Sequence, residues 1–292
     1  MHSTLYYLHA LSALHLGTGQ GAGFIDLPIA REKATHLPYV PGSSLKGVLR
    51  EELKPDDGQA KDTWEALFGP ETIDDTNGYA GALAIGDARL LCLPVRSLAG
   101  TFAWATCPFV LARYRRETEA VEANVNGPTP PHLPNDHTAW LTGNSALGMN
   151  GTIVLEDLDL EVAAGAAETW AEHFAQVIFP GDDSWQALFK ARFAILPDGV
   201  FDFLAETAME IRARVRLTEQ RTVAKGALWY EENLPAETLL YGLVAADRSR
   251  KNGLDLSAEK ALNTLPAGPL RLQLGGKATV GRGLVRWIKK GV

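Results

Sequence analysis

Cysteine is nearly missing from this 292-residue chain, and each scarcity excludes a class of protein. Cys92 and Cys107 fit neither a zinc spacing nor a disulfide framework, so both read as buried thiols in a reducing compartment. No apolar run reaches the length of a membrane span. The N-terminal "LYYLHALSALHLG" lacks the basic start of a secretion signal and carries His9 and His15 within the run, so the expected location is the cytoplasm and no membrane partner is expected. A surplus of positive charge is also missing. The net charge of −7 argues against indiscriminate coating of nucleic acid. It leaves local basic surfaces open, because clustering of Lys and Arg decides that question. No internal repeat is visible.

What is present describes an ordinary globular chain, with 46% hydrophobic and 22% charged residues. Its length fits one large domain with insertions or two small ones. Basic residues do cluster, in "RYRR" (113–116), "RARVR" (212–216) and "RSRK" (248–251). Residues 4–16 alternate with a period of two, Tyr6, Leu8, Ala10, Leu14 and Leu16 against His9 and His15, which predicts a half-buried strand. "GTGQGAG" (17–23) places four glycines in seven residues and allows positive φ and close backbone approach to a ligand.

Residues 44–53 predict a helix capped by Ser43 or Ser44, with Lys46 and Arg50 on one face. Two like charges at that spacing require something acidic opposite them, a glutamate of the fold or a phosphate. Helices are further predicted around "DTWEALFG", over 109–122, 168–179 and 183–193. "GALAIGDARLL" (81–91) reads as a strand. The Pro-rich 126–137 reads as an exposed or disordered loop. Pro-Asp-Gly within "FAILPDGVFDFLAET" signals a hairpin. Ile211, Ala213, Val215 and Leu217 alternate with Arg212, Arg214 and Arg216, which puts three arginines on one face of a strand. That strand is either a solvated edge or a strand lying along a phosphate backbone. The end reads strand, glycine loop, strand. The class is α+β, without the regular alternation of a doubly wound sheet.

Three chemistries compete for these residues. "SSLK" holds a Ser43-to-Lys46 spacing found in serine hydrolases, but the companion S-D-N is absent and "KAT" is not K-T-G. "GKATVGRG" has Arg282 and Gly283 where a phosphate-binding P-loop needs lysine and a hydroxyl. RNA binding draws on more of the chain. It has two glycine loops, a helix start bearing Ser43, Ser44, Lys46 and Arg50, the cations Lys277 and Arg282, and Trp229 and Tyr230 as stacking surfaces.

Those segments together carry a resemblance. "HLGTGQGAGFIDLPIAREKATHLPYVPGSSLKGVLR" (15–50), "LPVRSLAGTFAWATCP" (93–108), "KGALWYEENLP" (225–235) and the terminal "GGKATVGRG" resemble, in order, the RAMP superfamily. Within it they resemble the repeated backbone subunits of Cmr-type (type III-B) CRISPR effectors. The resemblance implies a ferredoxin-like, RRM-type core in a single domain over 1–292, with an inserted region near 54–140 and a protruding β-hairpin thumb near 195–232. It implies head-to-tail stacking of copies along a guide CRISPR RNA, with other Cmr-type subunits as partners. It also implies regularly spaced cutting of complementary target RNA with a divalent metal, Mg2+ or Mn2+.

Carried onto this sequence, the resemblance makes Asp26 the cutting residue, as metal ligand or positioning group, where a turn-capping aspartate is the ordinary alternative. His15, Tyr230 and Glu231 are further catalytic candidates. Gly19, Gly21, Ser43, Ser44, Lys46, Arg50, Arg214, Arg216, Arg221, Lys225, Lys277, Gly281 and Arg282 are RNA-binding candidates. A non-catalytic, guide-binding scaffold is the main alternative, and a serine hydrolase using Ser43 and Lys46 the distant one.

Overall fold

The computed structural model describes residues 1–19, 21, 24–56, 58–72, 78–121, 127–165 and 167–290. The N-terminal part runs β1 (His2–Ala10), β2 (Tyr39–Val40), α1 (Gly42–Glu52), α2 (Gly58–Phe68), β3 (Leu83–Ile85), β4 (Ala88–Arg96), β5 (Phe102–Thr106) and α3 (Pro108–Val121). The middle part runs β6 (Thr138–Leu141), β7 (Thr152–Leu155), β8 (Leu158–Ala164), α4 (Ala167–Ile178), α5 (Asp183–Arg192), β9 (Phe193–Ile195) and α6 (Asp198–Thr207). The last part holds β10 (Glu210–Leu217), β11 (Val223–Asn233), β12 (Leu239–Ala246), α7 (Ala258–Thr264), β13 (Leu270–Gln273) and β14 (Leu284–Lys289).

Twelve strands form one sheet in the order β13-β14-β1-β12-β4-β5-β9-β6-β8-β7, with β2 and β3 pairing at its side. Its β14-β1-β12-β4 portion is antiparallel throughout. Chain order there is strand, helix α1, two strands, helix α7, strand, the connectivity of a split βαβ unit. The far end curls over. Leu98 donates to the Val154 carbonyl and Ser97 bridges Leu155, so the outer edge of β7 is covered by the segment leaving β4. Strands β3, β4 and β5, and the start of β6, fall between residues 54 and 140 and belong to the large sheet.

The period of two found β1 but misjudged its burial. Leu5 to Ala10 are buried on both faces, because β1 lies between β12 and β14 and both α3 and α7 pack against it. In α4, Ala167, Trp170, Ala171, Phe174, Ala175 and Ile178 form a single buried stripe at helical spacing. That stripe joins Trp104, Phe189 and Phe193 in an aromatic core. The Pro-rich 127–137 stretch is irregular as expected, yet Pro131 and Leu133 are buried in it.

The hairpin expected at Pro197-Asp198-Gly199 is a helix instead. Pro197 is the N-cap of α6, Phe201, Leu204 and Ala205 bury at helical spacing, and Asp198 Oδ1 accepts from the Phe109 N–H. Proline is pre-set for a helix start, which outweighs the turn signal. The hairpin lies further on, where β10 and β11 pair with each other as a two-stranded ribbon outside the large sheet. Cross-strand partners share a face, so Ile211, Val215 and Leu217 lie with Leu228, Tyr230 and Val223 on one apolar and exposed side. Arg212 and Arg214 occupy the other.

Candidate nucleic-acid interface and cutting site

Three distant segments meet at the foot of the ribbon. Leu14 bridges Leu234, His15 bridges Gly276, Gly17 bridges Ile29, and Leu27 bridges Glu231. Glycine is required in the C-terminal segment. A Cβ at Gly275 would strike the His15 carbonyl and one at Gly283 the Leu274 carbonyl, and both glycines hold positive φ. Glu232 fastens the N-terminal segment from beneath. Its Oε2 accepts from the Ile29 N–H at 3.0 Å and its Oε1 from Arg31 Nη2 at 2.6 Å.

Asp26 sits exposed at this junction. Its Oδ2 accepts from the Tyr230 N–H at 2.8 Å, and its backbone carbonyl accepts from the Gly21 N–H at 2.8 Å. Oδ1 has no partner among the described residues. Asp26 therefore does anchor a loop, and it also presents a free carboxylate oxygen. It opens onto a cavity of about 480 Å³ lined with Gly21, Leu27, Gly226, Leu228, Trp229 and Lys277. The Tyr230 ring is exposed.

Glu231, fully buried, lies on the opposite side of β11 from Tyr230. Its Oε1 accepts from Trp229 Nε1 at 2.8 Å and pairs with Lys277 Nζ at 2.9 Å, with Arg214 Nε 3.7 Å away. Burial would raise its carboxyl, but Lys277, Trp229 and Arg214 hold it below the usual carboxylate range. Arg282, 3% exposed, stands behind this group, with Nη1 4.0 Å from Glu210 Oε1. His15 is buried, and its Nδ1 donates to the Glu232 carbonyl at 2.7 Å while its own carbonyl accepts from the Gly276 N–H. Gly19 and Gly281 both take positive φ in the two glycine loops. The remaining glycine-loop positions 20, 22 and 23 lie outside the described residues.

The α1 residues lie apart from this junction, and no described hydrogen bond or ion pair joins them to it. Neither Ser43 nor Ser44 caps the helix. Pro41 is the N-cap, and the first amide, Gly42 N–H, donates to Asp87 Oδ1 at 2.7 Å. The acidic group expected opposite Lys46 and Arg50 is absent from their described partners. Lys46 Nζ donates to the Leu83 carbonyl at 2.8 Å, and burial with the nearby Arg50 charge pushes its ammonium down. Arg50 donates to the Phe68 and Pro70 carbonyls and lies 4.7 Å above the Trp64 ring. No described hydrogen bond links Ser43 to Lys46, so the geometry offers nothing to a serine hydrolase.

The other basic clusters are similarly engaged. Arg113 pairs with Glu32, Arg115 with Glu119, and Lys251 with Asp62 and Glu65. By contrast Arg216, Arg221 and Lys225 on the ribbon carry no ion pair among the described residues. Arg221 sits in the tip, held in the left-handed region where Thr218 and Thr222 close the turn.

A divalent cation was also expected here. Among the described residues no three of His, Cys, Asp and Glu come together to cage one. Mg2+ characteristically takes one or two carboxylates and completes its shell with water and substrate phosphates. The open Asp26 carboxylate fits that shared role. Sequence reasoning missed Glu232 and Arg31. The signal was a run of three polar residues, Glu231 to Asn233, flanked by apolar ones, which marks buried and paired side chains.

Comparison with known proteins agrees across the chain. The family model described as the RAMP superfamily matches residues 7–286. The chain is 35% identical over 291 residues to the Cmr endoribonuclease Cmr4 of a CRISPR system in Pyrococcus furiosus, covering 98% of this chain and 95% of that protein. The crystal structure of oligomeric Cmr4 from Pyrococcus furiosus superposes with a TM-score of 0.74 at 29% identity, covering 100% of this chain and 99% of that one. A type III-B Cmr-beta complex bound to cognate target RNA contains a chain with the same fold, with a TM-score of 0.75 at 18% identity and coverage of 99% and 97%. Among the described residues, no helix is long and apolar enough to cross a membrane.

Proposed function

The chain belongs to the RAMP superfamily, and from that premise we propose that it is the repeated backbone subunit of a type III-B, Cmr-type RNA-guided effector in the cytoplasm. Copies line up head to tail on the guide CRISPR RNA beside other Cmr-type subunits and cut complementary target RNA at regular intervals. The observation that carries the reading is Asp26, held by the Tyr230 amide at the foot of an exposed ribbon, with a free oxygen facing a cavity that Lys277 also lines.

RNA brings its own nucleophile, the 2′-OH. The protein needs to splay one linkage into line, neutralise charge and handle a proton. The amphipathic ribbon supplies an apolar wedge on one face and Arg212, Arg214 and Arg216 for phosphates on the other. Arg221 and Lys225 extend that charge to the tip. The Tyr230 ring, beside Asp26, is placed to stack on a base. Asp26 orients the 2′-OH or receives its proton through Oδ1. Asp26 would be the protein's ligand to a divalent metal, Mg2+ or Mn2+, which when bound would supply charge neutralisation at the phosphate. His15 acts as a positioning residue, because its Nδ1 is committed to the carbonyl of Glu232, whose carboxylate holds Ile29 and Arg31 just beyond Asp26.

The test is target cleavage by the assembled effector, wild type against Asp26→Ala, with target binding measured on the same samples. The reading expects evenly spaced cuts that vanish in the variant while binding survives, and that vanish in wild type on EDTA treatment. Unchanged cuts in the variant make the chain a guide-binding scaffold. Loss of binding makes Asp26 structural.

A further inference from the structure

Five buried polar atoms without a hydrogen-bond partner crowd into the junction behind Asp26. Among the described residues they are Glu231 Oε2, Asn233 Oδ1, both terminal nitrogens of Arg282, and Glu210 Oε1, which has ion pairs with Arg212 and Arg282 but no hydrogen bond. Buried polar groups are rarely left unmatched, and a concentration of donors and acceptors in one place marks a site with a second arrangement available to it. The donors and acceptors here are of opposite charge. Glu231 is fully buried with Oε1 engaged and Oε2 without a described partner, and Arg282 is 3% exposed, its Nη1 4.0 Å from Glu210 Oε1 and neither terminal nitrogen in a described hydrogen bond.

Lys277 stands between this group and the outside. Its ammonium is the ion-pair partner of Glu231 Oε1 at 2.9 Å, its side chain is 31% exposed, and it lines the same cavity as Asp26. Its backbone is in the left-handed region at φ 72°, an uncommon setting for a lysine, with glycines at 275, 276 and 281 around it. Arg282 N–H donates to the Lys277 carbonyl, so the two cations sit at opposite ends of one short turn.

We infer that Lys277 is a transferable cation: it rests on Glu231 in the RNA-free chain and moves to the phosphate at the Asp26 cavity, while Arg282 takes its place on Glu231. The exchange keeps the buried carboxylate paired throughout, which matters because an unpaired buried charge is strongly destabilising. It also matches the unmatched atoms, since the Arg282 terminal nitrogens meet Glu231 Oε2. Arg214 already pairs with Oε1 at 3.7 Å and stays there, and Oε2 is the oxygen without a described partner that Arg282 takes up. Lys277 thereby becomes a catalytic residue that neutralises the phosphate being attacked, and Glu231 and Arg282 are positioning residues that govern its release. This rests on the ribonuclease reading above.

The experiment uses the assembled effector with guide RNA, measuring single-turnover cleavage at saturating target together with target Kd. Lys277→Met is expected to slow cleavage on the order of 10²-fold with Kd changed only a few-fold, and Lys277→Arg to recover part of the rate. Arg282→Met is expected to slow cleavage as well, because Glu231 then retains Lys277. The double variant Glu231→Gln with Arg282→Met is expected to cleave at least about tenfold faster than Arg282→Met alone, the non-additive signature of a shared partner. Wild-type rates in Lys277→Met, or a double variant no faster than Arg282→Met, overturn the exchange.

Should Arg282→Met fail to assemble, a structure of the wild-type effector on a target carrying a 2′-deoxy sugar at the cut decides the matter. Lys277 on the phosphate with Arg282 on Glu231 supports the exchange, and Lys277 still on Glu231 overturns it. Failure of the underlying reading is distinct, because then the wild type does not cut or Asp26→Ala cuts as well as wild type.

Discussion

Two basic regions of this chain look alike in sequence and differ in what their charges are doing. The start of α1 and its face, with Lys46 and Arg50, is saturated. Each side chain already donates to backbone carbonyls, and the first helix amide is taken by Asp87. The ribbon and its foot are less saturated, with Arg216, Arg221 and Lys225 in no ion pair among the described residues and the two terminal nitrogens of buried Arg282 in no described hydrogen bond. A hydrogen bond to a charged group contributes to stability where both partners are present, and an unmade one leaves a group available for something else. Equal charge therefore means architecture in one region and ligand readiness in the other.

The comparison breaks or sharpens at defined points. The largest expected effect is at Asp26. Asp26→Asn keeps an acceptor for the Tyr230 amide and is expected to slow target cleavage on the order of 10²–10⁴-fold with target binding retained. Parallel loss of binding would show that the loop, and not the chemistry, was removed.

Next is Arg50→Ala, which removes two charged hydrogen bonds and the contact over Trp64. The expected loss is about 2–3 kcal/mol of unfolding free energy, discounted for partial exposure and read from the urea midpoint. If stability holds and guide affinity collapses instead, the α1 face is an RNA surface and the contrast between the regions is gone.

Smaller effects are expected on the ribbon. Arg216→Ala and Lys225→Ala are expected to leave the urea midpoint within about 0.5 kcal/mol, as unpartnered surface residues do. Guide-target binding is expected to weaken a few-fold, with the slope of log K against log salt reduced by about 1 per residue. A stability loss without an RNA effect would make the ribbon a folding element.

The smallest effect concerns Glu32. Burial raises its carboxyl, but Arg113, Thr35 and Arg89 outweigh that and hold it below the usual range. The unfolded chain then binds the proton more readily, so this contribution is complete above the ordinary glutamate pKa of about 4.3 and fades as pH falls below it. Glu32→Gln is expected to flatten the fall of the urea midpoint between about pH 5 and pH 3, and an unchanged slope would remove Glu32 from that account.

Much of the fold was legible because local pattern and tertiary role agree. The stripe from Ala167 to Ile178 reads as a helix, and alternation reads β1 and β10 as strands. What the sequence hides is the number of faces each element buries. Alternation assigned β1 one wet face, and only the packing of α3 and α7 shows that there is none. Pro197 shows the complementary failure, since the same proline that favours a turn also opens a helix, and the buried side chains downstream decide between them. At the site, Asp26, Tyr230, Glu231, Lys277 and Arg282 were candidates from widely separated segments, and they meet at one junction. Glu232 showed only as part of the polar run Glu231 to Asn233, and Arg31 not at all, because their task is to hold that junction together, a role written in burial and partners.

The turn that carries Leu98 over the edge of β7 bears on how this protein behaves when crowded. A long bare strand edge templates uncontrolled growth, and at this end of the sheet the chain has used its own backbone to occupy that edge. A neighbouring molecule therefore meets side chains at that end, the exposed Leu98 among them, rather than a free strand to pair with.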